Sequence, residues 1–300
     1  MKPASALFST IQRRIPEVLT YLALTLVLAS PAQATTEITL KNEFIEKYKN
    51  RATIEVDFLI VHAKDRPNSP SQDGDLHIAG LADEIDLAVV AEIMNAHDEH
   101  EARDLVKEFD GSGETIKMVG AWRIWTEHGG DSEQVQGADI PEIVNSNPDH
   151  VFEIHPVTRI GEEGLEGTFR DIEGYDYKNA ESAFRRYEVT KSELECGEDT
   201  TTIRTNMAGF NYPHFLIRLL EDPTHEVKDG LTVFASVHDP ITEELLVTKR
   251  RMVFVKGTEP FDDVKERGEG DEMDVLGASQ ESAWRSCPGG ASMRKNGRRC

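Results

Sequence analysis

The chain has 300 residues, with 55 Asp and Glu against 33 Lys and Arg, and a formal net charge of −22 at neutral pH. Such a field repels polyanions, so sequence-independent binding to nucleic acid, which depends on phosphate neutralisation, is disfavoured. Only Cys196 lies in the body of the chain, which excludes a disulfide framework there.

Arg13 and Arg14 precede an apolar run from Val18 to Ala29, followed by Ala32-Gln33-Ala34. That order reads as an export signal with a small-residue cleavage site. The run is short against the roughly 20 residues a bilayer span needs, so no permanent membrane span is expected after cleavage. The mature protein begins near Thr35 in this reading and is periplasmic or secreted. Residues 279–300 are basic, contain two of the three cysteines and show no periodicity. They read as a disordered tail, or as a frameshifted replacement of a final strand, because an offset frame through residues 278–290 permits an apolar translation. The signal contributes +2 and the tail +4, which leaves the body at −28.

Within the body, Leu40, Phe44 and Tyr48 recur at helical spacing and predict a leading helix. From Ala52 to Lys64, Ile54, Val56, Phe58 and Ile60 alternate with polar residues, the pattern of a long half-buried strand. A turn-rich loop over residues 66–72 leads to a second strand, Asp75 to Ala79, and a third apolar run, Leu87 to Met94. Ala102, Leu105, Val106 and Phe109 mark a helix that Gly111-Ser112-Gly113 ends. A fourth strand, Thr115 to Trp125, a polar loop over residues 129–149 and a fifth strand, Val151 to Ile160, follow.

Three strands, a helix and two strands are the order of an OB-like five-stranded barrel with one helix. This first domain is expected over residues 35–160, a glycine- and acid-rich linker over 161–177, and a second domain over 178–278. The second domain opens with a short amphipathic helix around Ala180, Ala183, Phe184 and Tyr187. Strand-like runs then recur at residues 200–205, 210–220, 231–238 and 245–255, divided by Asp-Pro and Asp-Gly turns, which suits a small β-sandwich or sheet. The fold class is mainly β. In an OB barrel the loops after the first strand and between the fourth and fifth strands meet ligand, together with the second and third strands. Here those loops are residues 65–72 and 127–150.

Three segments carry histidine: Asp73-Gly-Asp-Leu-His77, the aromatic strand Gly120-Ala-Trp-Arg-Ile-Trp-Thr-Glu-His-Gly129, and Val151-Phe-Glu-Ile-His-Pro-Val157. Taken in order, and with Asn147 ahead of the last, the pattern resembles a group of exported bacterial proteins of uncharacterised activity that share an E-[IL]-H-P-V strand. The likeness spans about residues 52–160 and implies an OB-like barrel without implying an activity. Ile124-Trp125 stands where that group has a Phe/Phe-Asp pattern, and the spacing from Asn147 to Glu153 is longer than usual there.

Side chains two apart on a strand face the same way, so Asp75 joins His77 and Glu153 joins His155. With His128, His77 and His155 form an N/O donor set suited to zinc or manganese, against the plainer reading in which strand histidines are satisfied by backbone and nearby carboxylates. On the fourth strand, alternation sends Trp122 inward with Met118 and Ile124. Arg123 and Trp125 are left on the opposite face as a stacking surface for ligand, with Lys64, Arg66 and His128 at the loop ends. His97, His100 and His150 read as surface residues. Serine-nucleophile, phosphate-loop and C-x-x-C motifs do not occur in the sequence.

The expected function is therefore that of an exported OB-like binding protein without a cofactor, whose partner is a small molecule, a glycan or a protein. One alternative is a metal-dependent hydrolase, such as a phosphoesterase or nuclease, using the three histidines with Glu153 as base. The other is an envelope scaffold.

Overall fold

A computed structural model of the chain describes residues 36–126, 128, 133–189, 192–205 and 210–277. The expected signal and basic tail lie outside these residues. Among the described residues, no helix is long and apolar enough to cross a membrane.

The chain enters as strand β1 (Thr36–Lys41), turns into helix α1 (Asn42–Tyr48) and continues as β2 (Thr53–Ala63), β3 (Leu76–Leu81) and β4 (Val89–Ile93). Helix α2 (His100–Phe109) precedes β5 (Thr115–Ile124), the short β6 (Glu133–Val135) and β7 (Phe152–Ile160). Strands β2, β3, β4, β7 and β5 pair antiparallel around a ring, except that β4 meets β7 in parallel, with Val89 to Ala91 beside Phe152 to Ile154. This closure makes a five-stranded barrel with OB connectivity. The ambiguous run Leu87 to Met94 is thus a strand. Its flanking turn at Asp86 and its valines favour extension over a single helical turn.

Ile54, Val56, Phe58, Ile60, Ile78, Ala91, Met118, Trp122 and Ile154 fill the interior, with polar side chains of β2 facing out. Helix α1 closes the end of the barrel near Trp122. The Phe44 and Tyr48 rings meet that indole edge-on at 5.8 and 6.2 Å, and Phe152 stacks on it at 5.4 Å. Helix α2 covers the opposite end by burying Ala102 and Val106, and Gly111 just beyond it donates to the Ile60 carbonyl at 3.2 Å. Each large apolar side chain buried in this way contributes about 1.5–3 kcal/mol.

After the barrel come β8 (Glu163–Gly164), a single 3-10 turn (Glu166–Thr168), β9 (Lys178–Asn179), α3 (Ala180–Val189), β10 (Ser192–Cys196), β11 (Thr200–Thr205) and β12 (Pro213–Leu219). The chain then forms β13 (His225–Val227), β14 (Gly230–His238), β15 (Leu245–Val255), α4 (Glu259–Lys265) and β16 (Glu272–Leu276). Strands β15, β14, β12 and β16 lie side by side, with β13 added to β14 and β9 to β12, and α3 and α4 bury Ala180, Phe184, Phe261 and Val264 against this sheet. The second half is therefore a sheet with helices. Strands β10, β13 and β16 and helix α4 escape sequence patterning because they are short and charged.

The expected boundary at residues 161–177 is crossed by a third sheet. Strand β1 pairs antiparallel with β11 and parallel with β6, and β10 lies on the far side of β11. Ile38 and Leu40 of β1 and Ile203 of β11 belong to the barrel's own core. The start of β2 is also clamped from the second sheet, where Asp229 accepts from the Ala52 and Thr53 amides at 2.6 and 2.9 Å. Cys196 is disulfide-bonded, a bond that the exclusion of a framework within the body did not anticipate. That reading counted only cysteines of the body, and the remaining two lie outside the described residues.

Gly120 sits where the β5–β7 register shifts, and a Cβ there would fall 2.5 Å from Ile154 Cγ2 and 2.6 Å from the Pro156 carbonyl oxygen. A backbone carbonyl cannot step aside cheaply. Gly120→Val is expected to destabilise the protein by about 1–3 kcal/mol or more in urea denaturation, whereas Gly167→Ala, which meets nothing within 4 Å, should leave the midpoint unchanged.

Candidate functional site on the outer face of the barrel

Barrel closure fixes the outer face as firmly as the core. Asp75, just before β3, faces outward with His77 of β3, and register sets His77 opposite Glu92 of β4. On β7, Glu153 and His155 share the same face, with Glu153 opposite Arg123 of β5 and beside Val90 of β4. Four strands thus deliver Asp75, His77, Glu92, Arg123, Glu153 and His155 to one patch. The second half of the chain covers it through Asn211 and Tyr212, which stand just before β12.

The patch divides into two parts. In the first, Arg123 and Glu153 are 2% and 0% exposed and share a 2.6 Å contact from Nε to Oε2. His150 Nε2 lies 3.0 Å from the other oxygen of Glu153, and its Nδ1 lies 2.7 Å from the Pro148 carbonyl. Arg123 Nη1 donates to Asn211 Oδ1 at 2.8 Å, and its guanidinium lies 4.1 Å from the Trp125 ring centre. Burial alone would neutralise Glu153, but Arg123 and His150 outweigh it and hold the carboxylate far below its ordinary range. Likewise burial opposes the charges on Arg123 and His150, and Glu153 overrides it and raises both.

In the second part, three donor atoms from Asp75, Glu92 and His155 lie within 4.8 Å of one another. His155 Nε2 is 3.4 Å from Asp75 Oδ2 and 3.6 Å from Glu92 Oε2. The Tyr212 hydroxyl donates to Asp75 Oδ2 at 2.8 Å and meets His155 Nε2 at 2.6 Å. The outer oxygens of the carboxylates have other neighbours: the Asn95 amide donates to Asp75 Oδ1 at 3.3 Å, and His77 Nε2 lies 3.7 Å from Glu92 Oε1. Burial pushes Asp75 up to about 8, with Asp73 adding to the rise. Burial also pushes Glu92 up to about 8 against the opposing pull of His155. His155 falls to about 4 through burial and the nearby Arg123, and burial lowers His77 as well.

Of the residues expected to bind ligand, Lys64 and Arg66 are exposed on the loop after β2, and the Lys64 ammonium contacts Asn68. Arg123 and Trp125 share a face as expected, but that face is not open: both are about 2% exposed because Glu153 and the second half of the chain enclose them. His128 is half-buried and its ring stacks on His150 at 5.3 Å. It therefore stands with the Arg123 group, outside the mutually close donors Asp75, Glu92 and His155. His150, read from sequence as a surface residue, is fully buried because it completes the Glu153 pair. His97, half-buried, contacts the Asn68 carbonyl at 2.7 Å, and His100 is exposed.

Glu92, Asn211 and Tyr212 escaped the sequence reading. Glu92 did leave a signal, as the one charged residue between Leu87 and Met94. Nothing in the sequence linked Tyr212 to residues so distant in the chain. No family model matches the sequence and no curated protein is significantly similar to it, so the functional reading rests on this geometry.

Two outcomes follow for stability. Arg123→Met leaves Glu153 buried with His150 as its remaining cation, and should cost about 3–5 kcal/mol in urea denaturation. The pH dependence is set by Asp75, Glu92 and His150: protons these groups hold in the native state stabilise the fold below their unfolded values, and this is lost as pH rises towards about 8 for the carboxyls and above 6.5 for His150. The depressed histidines act oppositely, but only below the ordinary imidazole value of 6.5. With chelator present, stability should therefore fall between about pH 6.5 and 8, by about 1.4 kcal/mol per unit for each proton held, and Glu92→Gln should flatten that slope.

Proposed function

We propose that this is an exported binding protein whose OB-like barrel holds a small polar ligand or ion on the outer face of β3, β4 and β7, beneath Asn211 and Tyr212. A single observation carries the reading. The strand face that barrels of this connectivity offer to ligands here bears Asp75, His77, Glu92 and His155, concentrated under a cover and with strongly displaced ionisation. His77, with 15% of its side chain exposed, is the most open of the four and marks the side of entry.

The enclosure argues for a small ligand. A polymer would need the stacking pair Arg123 and Trp125 free, and these are engaged with each other and with Glu153. The hydrolase alternative loses its base, because a carboxylate held ionised between Arg123 and His150 is a poor proton acceptor at neutral pH. Export is supported by the character of residues 1–34, by the disulfide at Cys196, a bond of oxidising compartments, and by the resemblance of residues 52–160 to exported proteins.

The test is a melting-temperature and tryptophan-emission screen of the mature protein against small ions, amino acids and monosaccharides, alongside maltohexaose and a 15-nucleotide thymidine strand. Saturable responses are expected only from the small set and should be lost in His155→Gln. Saturable binding of either polymer, lost in the double variant Lys64→Ala/Arg66→Ala, would place the ligand on an open loop surface and overturn the proposal.

A further inference from the structure

We propose that Asp75, Glu92 and His155 form a divalent-cation centre of the zinc or manganese class, with His77 positioning Glu92 from the entry side; this rests on the binding face described above. Three independent features of the geometry carry it. The first is spacing. The two separations from His155 Nε2, 3.4 Å to Asp75 Oδ2 and 3.6 Å to Glu92 Oε2, are long for hydrogen bonds. They match the edge of about 3.4 Å that a tetrahedron of donors has around an ion with bonds of about 2.1 Å.

The second feature is orientation. Asp75 has its outer oxygen Oδ1 bonded by the Asn95 amide at 3.3 Å, and the outer oxygen of Glu92, Oε1, faces His77 Nε2 at 3.7 Å, an electrostatic approach beyond hydrogen-bond distance. Each turns its other oxygen inward to the same imidazole nitrogen. Outer partners that fix a ligating carboxylate in this way are the usual support of a metal site. The third is an orphaned atom. Glu92 is 3% exposed, and its inward Oε2 has no hydrogen-bond partner. A buried carboxylate oxygen without a donor is costly, and a cation satisfies it. The Tyr212 hydroxyl, close to Asp75 Oδ2 and His155 Nε2, holds those two atoms in place but leaves Glu92 Oε2 unanswered.

The donor chemistry narrows the ion. One imidazole with two carboxylates, and no thiolate, suits zinc or manganese and disfavours copper(I). Calcium needs about six to eight oxygens, which this set does not offer. The donors also differ from the histidine triad expected from sequence, since Asp75 and Glu92 take the places assigned to His77 and His128.

Untagged mature protein, dialysed against chelator and then buffer, would be titrated calorimetrically with Zn²⁺ and Mn²⁺, and cobalt(II) loading would be followed by absorption. One ion per chain is expected, with micromolar affinity or better for at least one metal. Asp75→Asn and Glu92→Gln keep shape and should each weaken binding at least tenfold. His77→Gln should weaken it less, and His128→Ala should leave it unchanged. In the wild-type protein, cobalt(II) should give the intense visible bands of a four-coordinate site, and these should vanish in Glu92→Gln. Circular dichroism of each variant separates lost binding from lost folding. Failure of every metal to bind the folded wild-type protein below millimolar concentration would overturn the proposal, as would binding indifferent to both isosteric variants. If metals fail while a small solute still responds in a His155-dependent manner, the cation is lost and the binding face survives. If neither responds, both fall.

Discussion

The parallel contact between β4 and β7 is the constraint on which the rest depends. It is the pairing that closes the ring, and it sets Val90 beside Glu153 and Ala91 beside Ile154. Inward, it seals the core between Ile78, Ala91 and Ile154. Outward, it carries Glu92 to the level of His155 and, through the β3–β4 register, opposite His77. A slip of one residue would turn the polar set into the core and expose the apolar one. The same hydrogen bonds therefore hold the fold and assemble the site.

Electrostatics then divides the face. Arg123 is the strong cation there, and geometry commits it to Glu153, with His150 on the second oxygen and Asn211 on the guanidinium. That arrangement satisfies one buried carboxylate, and neither Asp75 nor Glu92 receives a hydrogen bond from Arg123. In a chain body of net charge −28, two more acidic groups placed beside it cannot both remain ionised in a dry environment. They answer by holding protons, and their imidazole neighbours by giving them up. The upper carboxyl range and the low imidazole range at one site are two sides of the same desolvation.

How much of this could be read from the chain depended on period and distance. Alternation in Ile54 to Ile60 and in Met118 to Ile124, and the helical spacing of Ala102 to Phe109, reported a buried interior, because side-chain direction is a local property. The order of those elements then yielded the barrel. Alternation also separated Trp122 from Arg123 and Trp125 correctly. It was silent on what would cover the second face, since the cover comes from Asn211 and Tyr212, some ninety positions downstream of Trp122. His77 and His155 were found because both sit beside acids at strand spacing. Glu92 was hidden in a run whose apolar neighbours set its reading as core. The third sheet was unreadable for a related reason: β6 and β10 are short and charged, and only β1 shows an alternation that a partner could be inferred to cover.

The energetic balance of the covered face bears on why it exists. Well-packed apolar side chains in place of a buried ionic set are often neutral or stabilising, and the barrel already has an apolar core of ordinary kind on its inner side. The small cluster of Met94, Ile172 and Tyr212 beside the patch shows that apolar packing between the two halves of the chain is attainable there. Yet the adjoining surface holds Asp75, Glu92, His155 and the Arg123–Glu153 pair, with Glu92 Oε2 and His155 Nδ1 buried without partners. Cohesion between the halves does not require these groups, because the β1–β11 ladder and the Asp229 clamp on β2 supply it elsewhere. A face that costs stability while contributing no needed adhesion is what a site shaped around a ligand looks like, and the unanswered oxygen of Glu92 points to where that ligand's positive charge would rest.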